Sequence, residues 1–378
     1  MSRRLVLLAA VAFLAGCGGS GDVRMTAVPR EGLVDAPLRV QAHGLHGPAT
    51  LTLTITSANG ATWTSRLPFR QGDATPLLAS VLPPRFRGDP DLATFLAPDL
   101  ERIALALGKD GRTVATTTVT RRLFDPDVRV RAQTLAGPGF IGTFCSSPVR
   151  RGPAVLALGG SEGGLHGGFV CRVLASHGYP TLALAYFGLP GLPPSLSGIR
   201  LEYFARALRW LGRQPGVDSD KVVVMGTSRG GEASLILGSV YPKLVHGVIA
   251  LVPSSVVNST TAKPDWTLGG RDLPFTEIPV ERINGPVVAV GGGRDGVWPS
   301  SIYVDNIARR LREHGRSDVT ALVYPAGGHG VGFPVPNIRV ATKGGAHQGY
   351  YDFGGTPEAD AHARAALWPR LLSFLSRL

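Results

Sequence analysis

The chain of 378 residues predicts two folded units, an all-β sandwich followed by an α/β domain with a doubly wound, mostly parallel sheet. Three observations carry that expectation. Up to Arg122 the apolar residues alternate in short segments separated by turn signals, the rhythm of half-buried strands. After Pro126 short continuous apolar runs alternate with amphipathic stretches of helical length, the pattern of parallel strands covered by helices on both faces. Finally, 50 glycines and 30 prolines put much of the chain into turns between short elements.

In chain order, residues 1–16 read as a lipoprotein signal peptide. Arg3 and Arg4 precede the apolar run from Leu5 to Leu14, which is too short to span a bilayer as a mature helix. The run ends in Leu14-Ala15-Gly16-Cys17, which resembles the bacterial lipobox, whose cysteine becomes lipidated and the new amino terminus. Cys17 is therefore the expected lipidation site, and residues 17–26, with Gly18, Gly19, Ser20 and Gly21, the expected flexible tether. Such a protein is exported and lipid-anchored to a bacterial membrane, facing away from the cytoplasm. The β-sandwich is expected over residues 27–122, on the segments Leu38 to Val40, Leu51 to Ile55 and Thr113 to Val119, with turns at Asn59-Gly60 and Asp110-Gly111.

The α/β domain is expected over residues 123–378. Its strands are Ala154 to Leu158, Thr181 to Ala185, Val222 to Met225, Val248 to Val252, Val287 to Val290 and Thr320 to Tyr324. Its helices are Phe169 to His177, Ile199 to Gly212, Arg229 to Tyr241, Ser301 to His314 and Asp360 to Leu378. Besides Cys17 there are two cysteines, Cys145 and Cys171, and either a bridge or two buried thiols fits the sequence. The formal charge of +12 comes from scattered arginines with no run of five or more basic residues, so no nucleic-acid partner is implied.

The chemistry centres on Gly226-Thr227-Ser228-Arg229-Gly230, a G-x-S-x-G motif between a buried strand and a helix. A strand that turns this sharply leaves no room for side chains two residues before and after the serine. The hydroxyl of Ser228 then stands above the sheet edge at the positive end of a helix, where developing negative charge is favoured. This context points to an α/β-hydrolase. A serine hydroxyl needs a base held by a carboxylate, and the fold supplies them in the order Ser, acid, His. The loop after Val290 holds Asp295 and the loop after Tyr324 holds His329, both at carboxyl ends of parallel strands. Rivals are Asp305 and His314 on a helix, His347 in a Gly-rich loop, His362 on the last helix, and Asp265 and Asp272 in an irregular segment.

The oxyanion needs two donors. One is the N–H of Arg229, directly after the nucleophile; the other is expected from Ser161 or Glu162 in the Gly159–Gly164 loop. Gly291 to Gly296 also spells G-x-G-x-x-G, but Trp298-Pro299 interrupts the helix that a dinucleotide site requires. No metal or redox cofactor is implied, because no His/Cys/Asp cluster has ligand spacing.

Leu156 to Leu165, Ala183-Leu184-Ala185-Tyr186, Leu201-Glu202-Tyr203-Phe204 and Gly226 to Glu232 resemble the acyl-CoA thioester hydrolases and bile acid-CoA:amino acid N-acyltransferases. The resemblance covers nearly the whole chain beyond the signal and implies a β-sandwich before an α/β-hydrolase domain. It also implies a triad of Ser228, Asp295 and His329. Its members use Ser for thioester hydrolysis and usually Cys for N-acyl transfer, so Ser228 implies a hydrolase acting on a small-molecule acyl ester or thioester. Acyl transfer to an amine is the alternative, and a non-catalytic surface binding protein the second. The Ser228 to Asp295 spacing is shorter than in animal members, which implies a different cap or acyl pocket, and Arg229 stands where many members have Lys.

Overall fold

The structure is a computed structural model and describes residues 23–57, 62–72, 100–148, 152–165, 167–259, 264–337, 343–346 and 349–378. Cys17 and the Asn59-Gly60 turn lie outside these residues.

The amino-terminal strands are β1 (Arg24–Val28), β2 (Glu31–Leu33), β3 (Arg39–His43), β4 (Ala49–Ser57), β5 (Thr62–Phe69), β6 (Leu100–Lys109) and β7 (Arg112–Arg122). Five form one sheet in the order β2-β7-β6-β4-β5, and β1 pairs with β3 as a separate ribbon. Alternation decides which face each strand buries. Met25, Ala27, Val40 and Ala42 of the ribbon share a core with Leu51, Leu53, Ile103 and Leu105 of the larger sheet. The sandwich is thus unequal among the described residues, five strands against two. Asp110 and Gly111 turn the β6–β7 hairpin with φ of 50° and 76°, the left-handed pair that matches strand twist.

The second unit begins with β8 (Arg129–Gln133), β9 (Ile141–Ser146), β10 (Gly152–Leu158), α1 (Gly168–Ser176) and β11 (Thr181–Ala185). It continues through β12 (Ile199–Arg200), α2 (Leu201–Leu211), β13 (Val217–Thr227), α3 (Arg229–Val240), β14 (Gly247–Leu251), β15 (Trp266–Leu268) and β16 (Arg271–Asp272). The last elements are β17 (Val287–Gly292), α4 (Ser300–Glu313), β18 (Val319–Tyr324), β19 (Lys343–Ala346), β20 (Gly349–Asp352) and α5 (Pro357–Ser376). Eight strands form the central sheet in the order β18-β17-β14-β13-β10-β11-β9-β8, parallel from β18 to β11 and antiparallel through β9 and β8. This is the α/β-hydrolase architecture.

Strands β8 and β9 escaped the sequence reading because β8 is exposed along four of its five residues and lacks an apolar run. Helix α5 starts three residues earlier than expected: Thr356 caps it by accepting the Ala359 N–H at 3.1 Å, and Pro357 occupies the first turn. One core lies on each face of the sheet. Val34 and Leu123 join the α1/α5 core, and beside them Asp35 accepts the Trp368 indole N–H and lies against His177 Nε2, both at 2.6 Å.

Cys145 of β9 and Cys171 of α1 are joined by a disulfide and both are fully buried. The bridge closes a loop with a sequence separation of 26 residues, which constrains the unfolded chain by about 3 kcal/mol. Cys145→Ser is expected to lower the unfolding free energy by about that amount in urea titrations, and reductant should then have little further effect on the variant.

Candidate active site

Strand β13 ends at Thr227 and α3 begins at Arg229, so Ser228 alone makes the turn, at φ 57° and ψ −120°. A non-glycine residue in that region costs roughly 1–3 kcal/mol and persists only where its surroundings over-determine it. Here the Ser228 N–H donates to the Leu251 carbonyl at 2.8 Å, and its carbonyl accepts the Glu232 N–H at 3.0 Å. The flanking glycines leave no alternative: a Cβ on Gly226 would land on the Gly230 carbonyl, and one on Gly230 would land on the Gly159 carbonyl. Ser228 is left 8% exposed at the start of α3.

Two further loops reach this point from the carboxyl ends of β17 and β18. The side chains of Asp295 and His329 meet, Oδ2 to Nδ1, at 2.8 Å. The same Oδ2 accepts the Ser300 hydroxyl at 2.6 Å, while Oδ1 accepts the N–H groups of Val297 at 2.9 Å and Trp298 at 3.3 Å. The histidine loop is fixed independently. The His329 N–H donates to Phe353 O at 2.7 Å, the Gly328 N–H donates to Asp360 Oδ1 at 2.7 Å, and the Thr227 hydroxyl donates to Gly332 O at 2.6 Å. Burial raises the Asp360 carboxyl pKa above its ordinary value, opposed by the Gly328 N–H and by Arg364. The Trp298 indole packs edge-on to the His329 ring at 5.9 Å between centroids and donates to the Val252 carbonyl at 3.0 Å.

The glycines of Gly291 to Gly296 are required by these loops rather than by a phosphate. A Cβ on Gly292 would strike the Gly328 carbonyl, and one on Gly293 would stand 2.6 Å from Pro325 O.

The loop after β10 lies over Ser228. A Cβ on Gly160 would stand 3.2 Å from the Cβ of Ser228, and the Gly160 N–H donates to Glu162 Oε1 at 2.8 Å. Ser161 and Glu162 make the turn that follows. The buried Tyr186 hydroxyl braces the loop from below through the carbonyls of Gly159 and Gly160, at 2.8 and 3.1 Å, and burial pushes its pKa well above the ordinary phenol value. Arg229 carries one of the helix-initial N–H groups that have no intrahelical partner.

The rivals are accounted for elsewhere. Asp305, His314 and His362 are exposed, Asp272 lies on the exposed strand β16, and His347 is outside the described residues. Asp265 is buried as a partner of the Arg229 guanidinium. That side chain, which the sequence reading used only for its backbone, is itself buried and also bonds Glu232 Oε2 at 2.5 Å and the Asn258 carbonyl at 3.2 Å. Glu232 in turn accepts the Trp266 indole at 2.8 Å and the Asn258 N–H at 3.0 Å. Burial raises the Glu232 pKa and lowers that of Arg229, and each is drawn back by the other's charge. The signal was present: a charged pair at i, i+3 in a helix whose other residues are almost all small or apolar must sit inside the protein.

Residues 199–266 and 269–378 match the family described as BAAT / acyl-CoA thioester hydrolase C terminal. The C-terminal part of the chain is similar to that family. Similar curated proteins include the mitochondrial acyl-coenzyme A thioesterase 2 of Mus musculus, 26% identical and covering 91% of this chain and 86% of that protein. Acyl-coenzyme A thioesterase 1 of Rattus norvegicus is 27% identical over 91% of this chain and 93% of its own length. The peroxisomal succinyl-coenzyme A thioesterase of Mus musculus is 27% identical over 71% and 69%. Among solved structures, an alpha/beta hydrolase from a deep-sea metagenome library has 16% identity and a TM-score of 0.48, covering 67% of this chain and 100% of that one. These similarities support an enzyme that hydrolyses acyl thioesters or esters.

Removing one partner of the buried network strands a charge, which typically costs about 3–5 kcal/mol. Glu232→Ala is expected to lose stability in that range by denaturant unfolding, whereas Glu313→Ala, half of an exposed pair with Arg309 on α4, should lose less than about 1 kcal/mol.

Proposed function

We propose that Ser228, His329 and Asp295 form the triad of an acyl thioester hydrolase that works through an acyl-enzyme. The observation that carries this reading is the Asp295–His329 contact of 2.8 Å on loops tied to the Ser228 elbow. In the reaction Ser228 Oγ attacks the acyl carbonyl carbon as its proton passes to His329 Nε2. The oxyanion is held by the N–H of Arg229 and an N–H of the Ser161/Glu162 turn. Collapse breaks the bond to the leaving sulfur or oxygen, which takes the proton from His329, and Ser228 keeps the acyl group. Water then adds to that ester, gives a proton to the histidine, and the second collapse frees the acid and returns the proton to Ser228. Asp295 orients His329 and stabilises the imidazolium; its four hydrogen-bond partners support that role. The relatives' names suggest acyl-CoA or a thioester like it as the substrate class. Ser rather than Cys at the elbow favours water over an amine as acceptor.

The reading extends to location. A lipid on Cys17 would hold the protein at a membrane surface outside the cytoplasm, and the Cys145–Cys171 bridge supports an oxidising compartment.

A fluorophosphonate probe should label the parent and fail to label Ser228→Ala; labelling of both at one rate rules out this nucleophile. Asp295→Asn should lower kcat by about four orders of magnitude on a good ester with KM little changed. Asp305→Asn, on the exposed face of α4, should stay within about twofold. Cys17→Ser should move the protein out of the membrane fraction or leave its signal uncleaved; an unchanged membrane-bound fraction argues against the anchor.

A further inference from the structure

We propose that Asp360 is a positioning residue for His329, whose negative charge behind the histidine turn supports the imidazolium that forms there during turnover. The inference rests on His329 being the base and adds a second carboxylate to its surroundings. Asp360 lies in the first turn of α5, where the positive end of the helix favours an ionised carboxylate. Its side chain is buried and holds the turn on both sides of the histidine. Oδ1 accepts the Gly328 N–H at 2.7 Å, and Oδ2 occupies the place that a Cβ on Gly330 would take. Gly328 and Gly330 are the direct neighbours of His329, so the carboxylate brackets the one residue whose ring meets Asp295.

Holding the loop does not by itself require a charge. A neutral side chain with an oxygen would accept the Gly328 N–H, and it would avoid the desolvation cost of a buried carboxylate. What the carboxylate adds is a field, and in a poorly hydrated site a nearby charge counts for more than it would in water. That field acts on both members of the Asp295–His329 pair. Burial and the charge of Asp295 raise the Asp360 pKa, whereas the Gly328 N–H, Arg364 and His329 favour its ionised form. The other charged groups around the turn have their own places. Arg364, one helical turn along α5, is fully buried, and burial lowers its pKa to about 10 while Asp360 draws it back up. Arg294 reaches the loop through its backbone N–H, on Gly327 O at 2.9 Å, with its side chain exposed. Glu358 and His362 of α5 are exposed, and Glu162 is bonded to the Gly160 N–H of the loop over Ser228.

Asp360→Asn removes the charge and keeps an acceptor for the Gly328 N–H, so it separates the two roles. In the rise of kcat/KM with pH on p-nitrophenyl butyrate, its acid limb should lie about half a pH unit below the parent's, because an imidazolium without this support gives up its proton more readily. The same half unit is equivalent to about threefold, and kcat on the plateau should fall by that factor. Asp360→Ala, which removes the acceptor as well, should move the limb equally and lower kcat further. If Asp360 only held the loop, Asp360→Asn would match the parent in both respects and Asp360→Ala alone would be impaired. That result overturns the proposal, as does a limb displaced to higher pH. Asp360→Ser, shorter and still an acceptor, supplies the comparison if the Asn variant folds poorly, with urea titrations reporting the fold. His329→Ala tells the two readings apart. Loss of turnover in that variant with an unmoved limb in Asp360→Asn overturns the role of Asp360 alone, whereas parent-like turnover in His329→Ala overturns the base and this inference with it.

Discussion

Everything in the catalytic half is arranged around one steric constraint, the absence of space at Gly226 and Gly230. With the Gly230 carbonyl against Gly226 and the Gly159 carbonyl against Gly230, strand β13, helix α3 and the loop after β10 are pressed together at backbone contact distance. Only in that arrangement is Ser228 forced to positive φ and lifted above the sheet edge. The same closeness makes α3 buried along nearly its whole length, so its two charged residues must be satisfied internally. Glu232, Asp265, Asn258 and Trp266 are the answer to that demand, and they draw the segment before β15 onto the helix.

A second theme is that no catalytic candidate depends on a single tether. Asp295 accepts from two backbone N–H groups and one hydroxyl besides meeting His329. The histidine loop is held from α5, from β13 and from Phe353, just past β20, by separate hydrogen bonds. Trp298 joins the two loops, its backbone N–H on the carboxylate and its ring against the imidazole. Preorganisation of this sort is what a charge-stabilising site requires, because side chains that must reorganise during reaction give back much of the benefit.

Much of this was legible in the sequence, for identifiable reasons. The parallel strands are apolar on both faces and therefore stand out as short continuous runs, and the motif that bends β13 into α3 is written in glycines whose necessity is steric. Asp295 and His329 were nominated by position after a strand, and they meet because a parallel sheet delivers its loops to one edge. Strand β8 was missed because an exposed edge strand carries Arg129 and Arg131 rather than an apolar signature. The side-chain role of Arg229 was missed because its partner Asp265 is distant in sequence and sits in a segment with no periodicity. The cysteine pairing was left open because separation along the chain says nothing of proximity in space.

The position of the disulfide has a topological consequence. The 26-residue span that it closes contains all of β10 and the Gly159–Gly164 turn over Ser228. A peptide bond cut anywhere between Cys145 and Cys171 would leave both ends on one covalent molecule, with β9 and α1 still joined. The stretch of chain that crosses above Ser228 is thus the part of the α/β unit in which a break in the backbone does not divide the protein.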